Sequence, residues 1–218
     1  HLPMLFVHPD VKGGQDCRAL SGHIDLVPTL LSMAGAKPEK AAEVAGRELP
    51  GKDLSPVFSN PTGAEVNAVR DSVLFTFSGI ATNDSEVLRI TAEAKILGKK
   101  PIGQLIKEGY KPDMKKRGSV RTVFDGRYKF SRYFSPLDRN SPRTIDELYQ
   151  WNDVELYDHR TDPDEVKNLA INRRGNADLI MRMNAKLEAI IKAKTGKYDG
   201  REMPNIPLID WTIGRVDL

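Results

Sequence analysis

One pair of side chains early in the sequence has a spacing that could serve metal chemistry. His23 and Asp25 are separated by one residue. On a β-strand that spacing points both side chains to the same face, as two ligands of one metal ion require. A single pair does not make a metal site. We therefore predict a structural role for His23 and Asp25, or a supporting role behind a metal ligand, and no direct ligation.

A second group is the acidic stretch that contains Asp158, Asp162, Asp164 and Glu165. A calcium-binding loop of the EF-hand type needs a glycine and a distal glutamate at set positions, and this stretch lacks them. Asp162 is followed by proline, and an aspartate before a proline favours the start of a turn. The stretch is therefore predicted to be a turn that leads to Asn168 and Leu169.

Other signals for known chemistries are absent from the sequence. It contains no nucleophile elbow, phosphate-binding loop, dinucleotide fingerprint or zinc-binding set of cysteines and histidines. The single cysteine, Cys17, cannot form an internal disulfide, and we expect a buried thiol. On residue types alone, we predict that the chain is an accessory part of a protein and that none of its residues is catalytic.

Charge and hydropathy narrow the range of partners. The net charge is only +3, which does not favour nucleic acid or an anionic membrane surface. No apolar run approaches the ~18–20 residues of a membrane span. One basic cluster is predicted to be a solvated loop face, with anion binding as the alternative; it comprises Lys107, Lys111, Lys115, Lys116 and Arg117.

The elements around His23 and Asp25 are predicted from local patterns. Residues 3–7 form a continuous apolar run, typical of a buried strand, and residues 19–25 suggest a second strand. Asp25 can cap a following helix, Pro28 suits its first turn, and Gly35 can end it with a positive φ. The helix carries one apolar stripe, which we expect a sheet to cover; the stripe consists of Leu26, Thr29, Leu30 and Met33.

The second half of the chain shows clearer patterns. Residues 71–77 and 154–158 predict strands, and residues 119–134 predict a hairpin around a type I′ turn at Asp125 and Gly126. Residues 176–195 predict an amphipathic helix over that hairpin. Residues 81–118 are expected to be irregular, with residues 91–97 and 102–108 as candidates for short helices, and the tail 197–218 to be extended along the surface of a larger body.

Three separated segments then carry a resemblance to a known family: residues 1–7, residues 21–35 with the following 49–56, and residues 124–169. Residues 1–7 read HLPMLFV, residues 21–35 read SGHIDLVPTLLSMAG, and residues 49–56 read LPGKDLSP. Residues 124–130 read FDGRYKF and are followed by ELYD at 155–158, DPDE at 162–165 and NL at 168–169. In order and spacing these resemble the C-terminal part of type I sulfatases, of the alkaline phosphatase superfamily. The resemblance covers residues 1 to about 60 and 119–195.

The resemblance implies chemistry that lies elsewhere in the family. Members hydrolyse sulfate esters with a formylglycine made from Cys or Ser in a C/S-x-P-x-R motif, beside a divalent calcium ion. In the family these residues precede the segment that corresponds to His1. Cys17 is followed by Arg18, Ala19 and Leu20, so it does not match the nucleophile motif. The implied partners are the missing N-terminal part of the fold and a sulfate ester, and the 218 residues alone are predicted to be inactive.

The predicted fold class is α/β, with three parts. Residues 1–70 would be the final strand and helix elements of an alkaline-phosphatase-like α/β domain. Residues 71–196 would be a small antiparallel sheet with a packed C-terminal helix and an irregular insertion at 81–118, and 197–218 a tail. The loop 81–118 and the segment 134–152 are candidates to shape substrate choice, the latter with Arg132, Arg139, Arg143, Tyr149 and Trp151.

Two alternatives remain open at this point. The first unit of the resemblance also occurs in related enzymes, so the parent protein could hydrolyse phosphate esters or phosphonates. The chain could instead be a non-enzymatic module that binds anions through residues 111–121. The missing upstream sequence would separate a sulfatase from a phosphate-ester hydrolase, and salt-dependent binding to polyanions would identify the module.

Overall fold

A computed structural model of the chain describes residues 4–79, 84–111, 113–137 and 141–196. The chain divides into two compact units, His1–Val73 and Leu74–Leu218. The predicted tail, 197–218, and Arg139 lie outside the described residues. None of the helices in the described ranges is both long enough and apolar enough to cross a membrane.

In its described residues, 4–73, the first unit contains two short α-helices and two 3₁₀ turns. The 3₁₀ turn His23–Asp25 leads directly into helix α1, Leu26–Met33, and helix α2 spans Pro38–Ala45. A second 3₁₀ turn covers Ser55–Val57. Gly35 ends α1 with a φ of +79°, which confirms the predicted left-handed stop.

The two strands predicted in this unit are wrong as far as the described residues show. Residues 4–7 are irregular, and the run 19–25 ends in the 3₁₀ turn. A strand needs a neighbour to accept its hydrogen bonds. In the described part of the unit no such neighbour lies beside them; instead the ring of Phe6 lies 5.0 Å from that of Phe58, and Leu20 N donates to Val66 O over 2.8 Å.

The second unit is built on a four-stranded antiparallel sheet. Its strands are β1, Val73–Ser78; β2, Ser119–Phe124; β3, Tyr128–Phe134; and β4, Asn152–Asp158. Their order across the sheet is the same as their order in the sequence. In the register, Arg121 faces Arg132 and Phe130 faces Leu156 across the sheet. The predicted mixed fold with a small antiparallel sheet is confirmed.

The hairpin is confirmed, but its turn differs from the predicted type. Asp125 N donates to Tyr128 O over 3.2 Å, so Gly126 and Arg127 are the two central residues. Gly126 has a φ of +89°, whereas a type I′ turn needs positive φ at both central residues. The Asp125 carboxylate accepts hydrogen bonds from Arg127 N and Tyr128 N. Asp125 is therefore the first residue of the turn and not one of its two central residues.

One helix packs against the sheet and completes the core of this unit. Helix α6, Ala177–Lys194, places Ile180, Met183 and Leu187 against the sheet, each at most 1% exposed. They pack with Val123, Phe130 and Leu156, all fully buried. Burying one such side chain stabilises the fold by about 1.5–3 kcal/mol. The predicted packing of this helix on the hairpin is confirmed.

The segment predicted to be an irregular insertion contains two helices near the two candidate positions, and the first is longer than the candidate at 91–97, so the irregular prediction is corrected. Helix α3 spans Ser85–Ile96 and helix α4 spans Pro101–Lys107. The Asp84 carboxylate caps α3 by accepting from Glu86 N and Val87 N. Within α3, Arg89 pairs with Glu86 and Glu93 at helical spacing. A shorter helix, α5, spans Ile145–Trp151 and begins with a capping box.

Candidate functional site

The carboxylate of Asp25 is the polar centre of the first unit. The side chain is fully buried and accepts hydrogen bonds from Gly22 N at 2.8 Å and Lys52 N at 2.7 Å. It also forms an ion pair with the guanidinium of Arg70. The side chain makes no capping bond to α1, so the predicted cap is wrong. Its oxygens bind residues before and far beyond the helix, where a buried carboxylate finds a compensating charge.

Thr29 and Gly51 extend this centre along the chain. The Thr29 hydroxyl donates to Asp25 O at 2.6 Å and accepts from Leu54 N at 2.9 Å. A Cβ atom at Gly51 would lie 1.9 Å from Ile24 O, so only glycine allows the backbone to come this close. The loop at 50–54 is therefore held against the turn at 22–25 by backbone contacts.

His23 does not accompany Asp25. The two residues lie in a 3₁₀ turn and not on a strand, so they do not share a face. Asp25 is buried, whereas His23 is exposed. No hydrogen bond or ion pair of the His23 side chain is found within the described ranges. The structure therefore separates the two residues that the sequence suggested as a pair.

A second polar centre joins the hairpin to β4. Arg127 Nε and an Nη atom donate to the two carboxylate oxygens of Asp158, over 3.0 and 2.7 Å. Arg160 N donates to the same carboxylate at 3.1 Å. The hydrogen bonds from Arg127 hold the pKa of Asp158 below its ordinary value, although partial burial opposes them.

Glu165 links the turn after β4 to the neighbouring strand. Its carboxylate accepts from Lys129 Nζ at 2.6 and 2.8 Å and lies 2.8 Å from His159 Nε2. Burial raises the pKa of Glu165, but the bonds from Lys129 and His159 outweigh it and leave the pKa lowered. Glu165 has a φ of +58°, a conformation uncommon for residues other than glycine. The Glu165 side chain thus joins this turn to Lys129 and His159.

The predicted turn at Asp162 is present in the structure. The Asp162 carboxylate accepts from Val166 N at 3.0 Å and Lys167 N at 2.9 Å, so it closes the turn upon itself. Asp158 and Glu165 are likewise engaged, Asp158 by Arg127 and Arg160 N and Glu165 by Lys129 and His159. Sequence spacing alone did not show that Glu165 would face Lys129 and His159, because that contact joins two separate elements.

The residues suggested to shape substrate choice fall into two sets. Arg132 is 3% exposed and binds Glu188 at 2.5 Å and Asn184 Oδ1 at 3.0 Å, so it is part of the interior. Burial lowers the pKa of Arg132, while Glu188 opposes that shift. Tyr149 is half-buried, and its hydroxyl donates to Ala170 O at 2.6 Å. Arg143 and Trp151 are exposed.

A small cavity lies at one end of the sheet, on the face that α6 covers elsewhere. Its volume is about 360 Å³. Hydroxyl groups of Ser78 and Ser119, 3.3 Å apart, line it together with the guanidinium of Arg121 and the ring of Phe134. No histidine or carboxylate lines this cavity among the described residues, so its hydroxyls have no adjacent general base.

The described residues do not fit the metal and the formylglycine that the resemblance implies. Within those ranges, no group of three or more histidine, cysteine, aspartate or glutamate side chains could hold a metal ion. Cys17 is exposed, which corrects the expected buried thiol, and the residues after it do not match the nucleophile motif. No catalytic step can therefore be assigned to the residues described.

Proteins similar to this chain are found among the solved structures. No protein-family model and no curated protein sequence matches the chain. A phosphonate monoester hydrolase of Agrobacterium radiobacter is similar at 19% identity over 76% of this chain and 24% of that chain, with a TM-score of 0.42. A 2-O GAG sulfatase is similar at 21% identity over 83% of this chain and 26% of that chain, with a TM-score of 0.44.

A third similar structure was solved in complex with its substrate D-glucosamine-2-N,6-O-disulfate. The identity is 16% over 78% of this chain and 24% of that chain, with a TM-score of 0.44. The chain spans about a quarter of the length of each of these proteins. The solved structures to which this chain is similar thus include sulfatases and a phosphonate monoester hydrolase.

Proposed function

We propose that the chain is the C-terminal segment of a type I sulfatase, which hydrolyses sulfate esters. Its role is to complete the fold and to wall the substrate pocket. The observation that carries the proposal is that the residues of the sulfatase-like motifs bind one another. The motifs lie far apart in the sequence, yet their polar side chains form the two centres described above.

In the first unit, the H-x-D-L-x-P-T motif contacts the L-P-G-x-x-L motif. Asp25 accepts from Lys52 N, Thr29 accepts from Leu54 N, and Gly51 allows the close approach. These three contacts explain why a sequence of this kind needs aspartate, threonine and glycine at these positions. We infer a structural role for Asp25, whereas His23 is exposed and free to contact a further part of the protein.

In the second unit, the R-x-G-x-Y-K-like segment contacts the L-Y-D and D-P-x-E segments. Arg127 pairs with Asp158, and Lys129 pairs with Glu165. Asn168 then bonds to the backbone of β4 through Leu156 N and Val154 O. Arg127 and Lys129 of the first segment thus each have an acidic partner in one of the later segments, as expected if these segments belong to one architecture.

The catalytic groups of the parent protein would lie in its upstream part. Calcium and formylglycine are expected there and not in this chain. The first unit exposes several apolar side chains, which an upstream α/β domain would cover; they include Leu5, Val7, Val27, Leu30 and Val44. Among the described residues of that set, the exposed Arg143 and Trp151 are then candidates to face a substrate.

The test compares two purified proteins. One is the 218-residue chain, and the other extends it upstream with its natural sequence. We expect the longer protein to hydrolyse an aryl sulfate and the 218 residues alone to release no product above the uncatalysed rate. The matched control is the longer protein with the Cys or Ser of its C/S-x-P-x-R motif replaced by Ala, which should be inactive.

The substrate panel separates the alternatives. Turnover of an aryl phosphate or a phosphonate monoester, without turnover of an aryl sulfate, would identify the parent as the other class of hydrolase. Sulfatase activity of the 218 residues alone would contradict the proposal. For the anion-binding module, two of its cations are already engaged, because Lys116 pairs with Asp84 and Arg117 with Asp153. Strong, salt-dependent binding to heparin would still support it.

A further inference from the structure

The cavity at one end of the sheet, within the second unit, is large enough for a small molecule. Its volume is about 360 Å³, near the lower end of the roughly 300–1,000 Å³ of ligand pockets. Residues 76–78 of β1, residues 119–121 of β2 and Phe134 of β3 line it. Three neighbouring strands thus fix the positions of its side chains, and a site built on strands is more precise than one built on loops.

The cavity contains hydroxyl donors that the described part of the chain does not fully use. Ser78 Oγ and Ser119 Oγ lie 3.3 Å apart, longer than the ~2.7–2.8 Å usual between two such oxygens. Each hydroxyl has one hydrogen to donate, so only one of the two serines can donate to the other. No further acceptor for the second hydrogen is found within the described ranges, and Ser119 is only 2% exposed. A ligand oxygen in the cavity could accept this hydrogen.

Arg121 brings a positive charge to the same cavity. The residue is 8% exposed, and its guanidinium lies 5.5 Å from the centre of the Phe134 ring. Across the sheet Arg121 faces Arg132, whose own charge is paired with Glu188. Two like charges directly opposite each other in a sheet are unfavourable. An anion beside Arg121 would reduce that repulsion.

Arg121 has other contacts within the chain, and it can hold a ligand in addition to them. A guanidinium carries five N–H donors in a planar fork, and two parallel donors of that fork match the two oxygens of a carboxylate. Phe77, which is 49% exposed, and Val120 add apolar surface to the wall. The lining therefore combines a charged fork and hydroxyl donors with an apolar surface.

We propose that this cavity binds a small organic carboxylate. Arg121 and the hydroxyls of Ser78 and Ser119 hold its carboxylate group, and Phe77 contacts its apolar part. The proposal goes beyond the role in a sulfatase fold and does not depend on which ester the parent protein hydrolyses. An inorganic oxyanion is the other candidate ligand, and the experiment distinguishes the two.

The first test is a titration of the 218-residue chain with benzoate, followed through its backbone amide chemical shifts. We expect saturable shifts that are largest at residues 76–78 and 119–121. Benzyl alcohol has the same ring without the charge, so it should bind at least about tenfold more weakly, because it lacks charge-assisted hydrogen bonds. Inorganic sulfate lacks the ring and should also bind more weakly than benzoate.

Two variants then test the proposed contacts. Arg121→Gln should weaken benzoate binding at least about tenfold, and Ser78→Ala combined with Ser119→Ala at least about threefold, since a neutral hydrogen bond contributes less than a charged one. The matched control is Arg182→Gln on α6, which removes one positive charge from an exposed residue and should leave binding unchanged. The amide spectrum of each variant shows whether it keeps the fold.

Several results would overturn the proposal. Benzoate could produce no saturable shift at the cavity, or benzyl alcohol could bind as tightly as benzoate. Sulfate that binds as tightly would assign the cavity to an inorganic oxyanion. A folded Arg121→Gln chain could also bind benzoate unchanged. If Arg121→Gln unfolds the sheet, the double serine variant decides, and unchanged affinity in that variant contradicts the proposal.

Discussion

The two units of the chain differ in what holds them together. The second unit has a core in which Val123, Phe130 and Leu187 are fully buried, and charged pairs surround it. In the first unit, buried apolar side chains are few, and the centre is the carboxylate of Asp25 with its hydrogen bonds. The comparison shows that one unit is stabilised mainly by apolar burial, and the other by backbone contacts to one charge.

The largest expected effect is the loss of a core leucine in the second unit. Leu187→Ala removes a fully buried side chain and leaves a cavity against the sheet, so we expect a loss of about 2–5 kcal/mol in the free energy of unfolding. Chemical denaturation followed by circular dichroism measures it. Leu88→Ala, at an α3 residue that is 55% exposed, is the matched control and should cost under about 0.5 kcal/mol.

Removing the central charge of the first unit should have the next largest effect. Asp25→Asn leaves Arg70 buried without its counter-charge, and breaking a buried pair costs about 3 kcal/mol. Hydrogen exchange should show lost protection in residues 20–57 but not in the sheet. The exposed Asp71→Asn change is the control. Equal loss of protection in both units would contradict the distinction drawn between them.

The pH dependence of the second unit should follow its paired carboxylates. The pKa values of Asp158 and Glu165 are lowered in the folded chain from ordinary values of 3.8 and 4.5. The unfolded chain therefore binds more protons in this range, and stability falls as the pH drops through the lowered pKa values. We expect a loss of about 1–2 kcal/mol between pH 6 and pH 3, measured by urea unfolding. Asp158→Asn should flatten this dependence.

The smallest expected effect concerns the uncovered apolar residues of the first unit. Leu30 is 59% exposed, so Leu30→Ala should change the stability of this chain by less than about 0.5 kcal/mol. The same substitution in the longer, upstream-extended protein should cost more if that part covers Leu30. Equal, small effects in both proteins would show that Leu30 is not covered there. This pair of measurements sharpens the contrast with Leu187.

Local patterns predicted most of the second unit because its elements carry strong local signals. The glycine at the hairpin turn, the period of α6 and the alternation of β2 and β3 depend on neighbouring residues. In the hairpin only the turn type was wrong, and there the Asp125 carboxylate bonds to the two following amides. The helices α3 and α4 were predicted less well, because the lysines, glycines and proline of this segment suggested irregular structure. The cap at Asp84 and the ion pairs of Arg89 favour a helix instead.

In the first unit, local patterns predicted the helix and its stop but not its surroundings. Apolar runs at 3–7 and 19–25 have strand composition, but a strand is defined by the neighbour with which it pairs. Asp25 is separated in the sequence from its partners Lys52 and Arg70 by 27 and 45 residues, so no local spacing rule could reveal these contacts. His23 and Asp25 were predicted on a strand, which would place both side chains on one face. They lie instead in a 3₁₀ turn, which separates them.

The sequence by itself determined the position of the hairpin, the apolar stripe of α6, the stop at Gly35 and the resemblance to sulfatases, because each depends on residue type at short range. Only the tertiary structure decided which motif residues bind one another. Arg127 pairs with Asp158, Lys129 pairs with Glu165, and Asp25 accepts a hydrogen bond from Lys52 N. A partly buried charge requires a polar partner, and the fold supplies that partner from a distant part of the sequence.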